Sequence, residues 1–210
     1  MAQRRLVRRQ TSTPEAGNLS EKREKILQGA MQVFLQQGYA STSMDRVATV
    51  AGVSKQTIYS HFQDKEGLFA ALIERVTIAR VQHEFGSEEL HGEPPVLLRH
   101  LAETILQNMS DPEYLSLLRV VIAESVRFPE LARLYSRTVI QKGRSILSAY
   151  FQAHPELQIA DPEATAHIFF GSLISFLISQ EILHGKEISQ LNQQRLIDAL
   201  LILLIDRALP

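Results

Sequence analysis

The chain has 210 residues, 45% hydrophobic and 21% charged, with a formal net charge of −1 and no cysteine. That composition fits one large or two small globular domains rather than a disordered or fibrous chain, and the missing thiols exclude disulfides, thiolate metal sites and thiol catalysis. Residues 1–65 hold 10 of the 22 Lys+Arg but only 5 of the 23 Asp+Glu, so a basic end joins an acidic body, as expected where one end meets a polyanion.

Residues 1–18 are polar, carry Arg4, Arg5, Arg8 and Arg9 together with Pro14 and Gly17, and show no helical period. They predict a mobile basic arm. No apolar segment follows the arginines, so a signal peptide is not expected and the chain is assigned to the cytoplasm. Ser20 then caps a first helix, with Glu21 and Glu24 in its opening turn and Ile26, Ala30, Val33 and Phe34 at the spacing of a buried face. Gly38 ends it.

Thr42 and Asp45 read as a capping box that opens a short helix through Met44, Val47, Ala48 and Ala51, closed by Gly52. Ser54 caps the next, through Thr57, Ile58, Tyr59 and Phe62, and Asp64 caps a fourth through Leu68, Phe69, Leu72, Ile73 and Val76. An acidic, glycine-containing loop is expected over 86–95. Asp111-Pro112-Glu113 and Asp161-Pro162-Glu163 both combine a capping Asp, a first-turn Pro and a Glu at the positive end of the helix dipole. Phe128-Pro129-Glu130 breaks the chain, and His184-Gly185 separates two last helices over 162–183 and 189–208. The apolar runs 168–178 and 199–205 fall short of the roughly 18 residues that cross a bilayer. With no alternating strand pattern, the fold class is all-α.

Residues 42–62 carry the functional signal. A helix-turn-helix needs a small residue at the crossing, a glycine at the turn, a cap on the second helix and buried apolar positions on both. Ala48, Gly52, Ser54 and then Val47, Val53 and Ile58 fill those places. The second helix is left with Lys55, Gln56, Thr57, Tyr59, Ser60 and His61, hydrogen-bonding groups suited to base edges and phosphates. Through Ala-Gly-Val-Ser-Lys-Gln-Thr-Ile-Tyr-Ser-His-Phe at 51–62 and Asp64-Lys65-Glu66-Gly67-Leu68, the chain closely resembles the tetracycline-repressor (TetR) family over residues 20–70. A looser likeness over 119–129 is to family members grouped with an efflux regulator. The resemblance implies a ligand-responsive regulator, most simply a repressor, that binds palindromic double-stranded DNA as a homodimer and is released by a small, largely apolar effector. It implies DNA contacts from Ser43, Lys55, Gln56, Thr57, Tyr59, Ser60 and His61, and a phosphate held by Lys65.

Three parts follow: a flexible basic arm (1–18), a three-helix DNA-binding domain (19–65) and a helical regulatory and dimerisation domain (66–210). The last two helices are apolar over wide faces, which places Gly171, Ser175, Leu196, Leu200 and Leu203 at an expected dimer interface. Phe85, Leu101, Ile105, Leu118, Ile122, Phe128, Tyr135, Phe151 and Phe170 are candidate pocket walls. His100, Arg119, Glu124, Phe128, His167 and Phe170 are the candidate ligand contacts. No cofactor and no metal site is expected, since His83, Glu84, Glu88 and His91 fall in or beside a loop. An enzyme is disfavoured by the lack of a His-Glu-x-x-His pair, a glycine-rich phosphate loop or a Gly-x-Ser-x-Gly elbow. The alternative that keeps DNA binding is a module that recruits a protein partner without a small molecule.

Overall fold

A computed structural model describes residues 14–85 and 90–205, without the side chains of 14–18 and 78–84. Helix α1 spans Pro14–Ser41, and Ile26, Leu27, Ala30, Val33 and Phe34 along it are buried. A proline is tolerated in a first helical turn, so the helix starts earlier than Ser20. Ser20 lies inside it, and residues 14–18 are helical rather than part of an arm. The four arginines of the expected arm lie outside the described residues. Gly38 breaks α1 at φ 73 and ψ 173, a backbone region that L side chains rarely adopt.

Helices α2 (Met44–Ala51) and α3 (Lys55–Phe62) follow. The expected capping box at Thr42 and Asp45 is not formed. Ser43 is the cap, accepting from the Arg46 N–H at 3.2 Å, because the Thr42 hydroxyl is turned away and donates to the Gly38 carbonyl at 2.7 Å. Gly52 stands in the left-handed region at φ 65 and its N–H closes α2. Ser54 caps α3, accepting from the Thr57 N–H at 3.1 Å.

Helix α4 (Lys65–Phe85) runs from the end of α3 into the remaining bundle, α5 (Pro94–Met109), α6 (Pro112–Glu124), α7 (Pro129–Tyr135), α8 (Lys142–Ala153), α9 (Pro162–Leu177) and α10 (Gln193–Ile205). Asp111 and Asp161 cap α6 and α9 as expected, accepting from the N–H groups of Glu113 and Ala164 at 2.8 and 3.0 Å. Wide π turns over Ser136–Gln141 and Ile178–Ile182 join α7 to α8 and extend α9. The last helix begins at Gln193 rather than 189, after a short turn at Gly185–Glu187.

With its π extension, α9 gives a continuous 21-residue helix, Pro162–Ile182, of mean hydropathy 1.2, long and apolar enough to cross a membrane. The apolar run 168–178 is shorter than this helix, which continues through Ser179, Gln180 and Glu181. One face of that helix packs into the bundle through Ala166, Phe169, Leu173 and Leu177.

Helix α4 ties the two halves together. It touches α1 and α3 at one end and α5, α6 and α7 further along, and one buried core runs from Ile26 to Leu201 without a gap at residue 65. The Arg75 guanidinium makes the link polar as well, bonding Glu24 of α1 at 2.6 Å and Glu113 of α6 at 2.8 Å.

Candidate functional site

The outer face of α3 is where the polar residues gather. Lys55, Gln56, Tyr59 and Ser60 are exposed, with Tyr59 43% accessible despite its ring. Thr57 and His61 are half-buried, and the His61 ring lies 5.9 Å from that of Phe62. Ile58 and Phe62 point the other way and are buried, which fixes the face that α3 presents.

Several of these groups already have partners. The Thr57 and Ser54 hydroxyls share a hydrogen bond at 2.7 Å, and the Ser60 hydroxyl donates to the Thr57 carbonyl at 2.8 Å. Lys55 is paired across the turn with Asp45 of α2 at 2.8 Å, and that hydrogen bond raises the lysine pKa. Both partners are well exposed, so the pair is weak in water and can exchange for a stronger anion. Ser43 is exposed beside them at the start of α2.

Lys65 departs from expectation. Its ammonium is not on the free surface: it donates to the Tyr39 carbonyl at 2.9 Å and the Thr42 carbonyl at 3.2 Å, with Ala40 at 3.4 Å. An ammonium has three protons, and here they serve the turn between α1 and α2. Partial burial lowers its pKa, partly offset by the nearby Glu124 carboxylate. Lys65 therefore holds α2 against α4 instead of offering its charge to solvent.

Two glycines, Gly29 of α1 and Gly67 of the Asp64–Leu68 motif, set the spacing of these helices. A Cβ at Gly29 would stand 2.9 Å from the Ala51 Cβ, and one at Gly67 would stand 2.3 Å from the Phe62 carbonyl oxygen. Glycine thus lets α1 meet α2 and lets α4 abut the end of α3. For Gly29 a glycine inside an apolar helical stripe was the available signal.

A cavity of about 140 Å³ lies in the second half, between α4, α5, α6, α7, α8, α9 and the Ser136–Gln141 turn. Its walls are mostly aliphatic and aromatic, with Val76, Thr77 and Phe85 contributed by α4 and Tyr114 by the start of α6. Of the expected pocket walls, Phe85, Leu101, Ile105, Tyr135 and Phe170 line it. Leu118 and Phe151 are buried in the core, and Ile122 is exposed.

Of the six candidate ligand contacts, Phe170 alone is in the lining. His100 and His167 are exposed, although the His100 ring lies 4.9 Å from the wall residue Phe85. Arg119 is on the surface, donating to the Glu181 carbonyl at 3.1 Å. Glu124 and Phe128 belong to the joint between the halves: the Glu124 carboxylate sits beside Gly38, and the Phe128 ring meets the Tyr39 ring edge-on at 5.3 Å. A polar residue on an apolar stripe was too coarse a signal, because α6 presents different faces to the cavity, the joint and solvent.

The expected dimer face also separates. Gly171 and Ser175 are exposed on α9 beside Ile168, 55% accessible, and on α10 Leu203 is 61% accessible. Leu196 is half-buried. Leu200 is 4% accessible and packs in this chain's own core, which removes it from the candidate surface; α10 is apolar on both sides, so sequence could not tell them apart.

Comparison with known proteins agrees with this arrangement. Residues 26–72 match the model for bacterial regulatory proteins of the tetR family, and residues 97–205 that for the C-terminal domain of AefR-like transcriptional repressors. The chain is 34% identical over 110 residues to the HTH-type transcriptional regulator AcrR of Shigella flexneri, covering 51% of each. It spans about half, or less, of the length of the first curated relatives it matches. Its fold superposes with a TM-score of 0.67 on a Mesorhizobium loti protein described as a TetR-family transcriptional regulator, at 26% identity over 91% of this chain and 98% of that one. The flavonoid-responsive regulator FrrA matches at TM-score 0.67 and 26% identity, covering 90% and 97%.

Proposed function

The chain belongs to the tetR family of bacterial regulatory proteins, helix-turn-helix regulators of transcription that bind DNA, and on that premise we propose that it is a ligand-responsive repressor. As a homodimer it grips a palindromic operator through α3, and a small, largely apolar effector in the cavity releases it. Lys55, Gln56, Thr57, Tyr59, Ser60 and His61 contact DNA from α3, and Ser43 does so from the start of α2. Lys55 exchanges Asp45 for a phosphate. Lys65 is left out of this set because its ammonium is engaged by the α1–α2 turn.

One observation supports the switch above others: a single helix both lines the cavity and holds the reading head. Val76 and Thr77 of α4 are in the cavity wall, while Lys65 at its first position grips the carbonyls that precede α2. The two ends lie about 16 Å apart along the helix at 1.5 Å per residue. A second path runs along α6, from Tyr114 in the wall to Glu124 beside Gly38. An effector that displaces α4 and α6 must therefore move α2 and α3 with them. A ligand shifts the equilibrium only by its differential affinity for the two arrangements, and DNA weakens effector binding by the same factor.

Dimerisation supplies the second reading head. The exposed side of α9 and α10, with Ile168, Gly171, Ser175, Ile202 and Leu203, is the surface assigned to it, and the match to AefR-like repressors supports repression. The test is a screen of small apolar compounds for thermal stabilisation, followed by titration of each hit against the DNA complex. Hits that release DNA support the proposal; hits that stabilise the protein and leave DNA affinity unchanged overturn the switch.

A further inference from the structure

The polar groups in the cavity wall narrow what it takes, a step that rests on the effector reading above. Its volume of about 140 Å³ is close to the roughly 150 Å³ of an apolar cavity that holds one benzene ring. One monocyclic molecule fits; a polycyclic one requires the walls to move. Most of the lining is apolar, with Phe85 and Phe170 offering ring faces.

Three side chains in the wall have hydrogen-bonding capacity to spare. The Nδ2 atom of Asn108 is buried with no hydrogen-bond partner among the described residues. Tyr114 and Tyr135 bond each other through their hydroxyls at 2.5 Å. That contact uses one of their two protons, leaving the other O–H uncommitted. Burial raises both phenol pKa values, so the pair stays neutral and keeps that proton. Thr77, by contrast, is satisfied, donating to the Ile73 carbonyl at 2.6 Å. Among the described lining residues no carboxylate is present, and Lys142 is the one charged side chain. The described wall therefore offers donors to a ligand oxygen and no carboxylate to a ligand cation.

We infer that the effector is a single-ring aromatic molecule without a cationic group, bearing a carbonyl or phenolic oxygen that accepts hydrogen bonds from Asn108 Nδ2 and the free hydroxyl of the Tyr114–Tyr135 pair. The apolar walls bind the ring, and the oxygen sets its orientation. Cations of the same size are rejected, because burying one without a carboxylate partner costs more than the ring returns.

The experiment is calorimetric titration of the full chain with three probes of similar shape: acetophenone, isopropylbenzene and phenyltrimethylammonium. Acetophenone should bind, and phenyltrimethylammonium should not. Asn108→Leu should weaken acetophenone about tenfold, the effect of one hydrogen bond, while leaving isopropylbenzene unchanged or tighter. Tyr135→Phe provides a second route to the same contrast if the first variant folds poorly. The inference is overturned if both variants shift the two neutral probes alike, if the cation binds as tightly as the ketone, or if acetophenone does not bind up to its solubility limit. Release of DNA is read separately. Acetophenone that binds in this pattern yet leaves DNA affinity intact would sink the switch and spare the site chemistry. Release driven equally by isopropylbenzene, untouched by either variant, would do the reverse.

Discussion

The ammonium of Lys65 lies 4.5 Å from the centroid of the Tyr39 ring and donates to the Tyr39 carbonyl at 2.9 Å, so one side chain clamps both the backbone and the ring of the residue that follows the α1 break. The same ring packs on Phe34 of α1, on Phe69 of the connecting helix α4 and on Phe128 ahead of α7. The joint between the halves is thus a cation under an aromatic cluster.

Lys65→Met should therefore destabilise the protein by about 1–3 kcal/mol, the range for leaving buried polar partners unsatisfied. It should weaken DNA binding by misplacing α2 and α3, with the slope of log affinity against log salt unchanged. A phosphate contact would instead lower that slope by about one unit. Chemical denaturation together with gel shifts at several salt concentrations distinguishes these outcomes.

At Lys55 the expectation is the opposite. Lys55→Ala should leave stability unchanged, since exposed pairs contribute little, but lower DNA affinity and reduce the salt slope by about one unit. Asp45→Asn should raise affinity several-fold at low salt, because it removes both a competitor for Lys55 and a charge that repels phosphate. Unchanged affinity in both variants would remove the pair from the interface.

Gly67→Ala places a methyl 2.3 Å from the Phe62 carbonyl oxygen. The end of α3 must move, at an overpacking cost of about 1–3 kcal/mol. DNA binding should fall sharply while thermal stabilisation by an effector survives. Gly143→Leu should do the reverse. A Cβ there already stands 3.2 Å from the Phe170 ring, so the larger side chain fills the cavity and abolishes the effector's thermal shift.

Alkaline pH gives a check on the packing. Burial pushes the phenols of Tyr39 and Tyr150 up to about 12, with help from nearby carboxylates, and raises Tyr114 and Tyr135 as well. Above pH 10 the unfolded chain releases these protons while the folded one keeps them. Stability is intact below pH 10 and falls through the window from 10 to 12, by as much as about 1.4 kcal/mol per pH unit for each tyrosine. In a Tyr59→Phe variant, which removes the one exposed phenol, phenolate absorbance should therefore rise together with loss of helical circular dichroism; ionisation well before unfolding in that variant would contradict the buried placement.

The helices were legible where local chemistry decides them. Ser54, Asp111 and Asp161 cap as read, and the polar face of α3 is where periodicity put it. Choices between near-equivalent neighbours were not legible: Ser43 caps α2 because Thr42 bonds back to Gly38. Long-range placement was harder still. Lys65 looks like any helix-start lysine until the carbonyls of Tyr39, Ala40 and Thr42 surround it, and Asn108 and Tyr114 enter the cavity wall through tertiary packing that no period of α5 or α6 announces.

In the proposed complex, α3 of each of two chains reads one half of a symmetric site, and selection of duplexes from a random pool by the full chain is the decisive measurement. Enrichment of an inverted repeat is expected, with half-site centres about 34–36 Å apart, or a multiple of that spacing, and with Gln56→Ala changing the preferred base within each half-site. Enrichment of asymmetric sites bound by a monomer, or a Gln56→Ala variant that selects the same sequence as the parent, would contradict it.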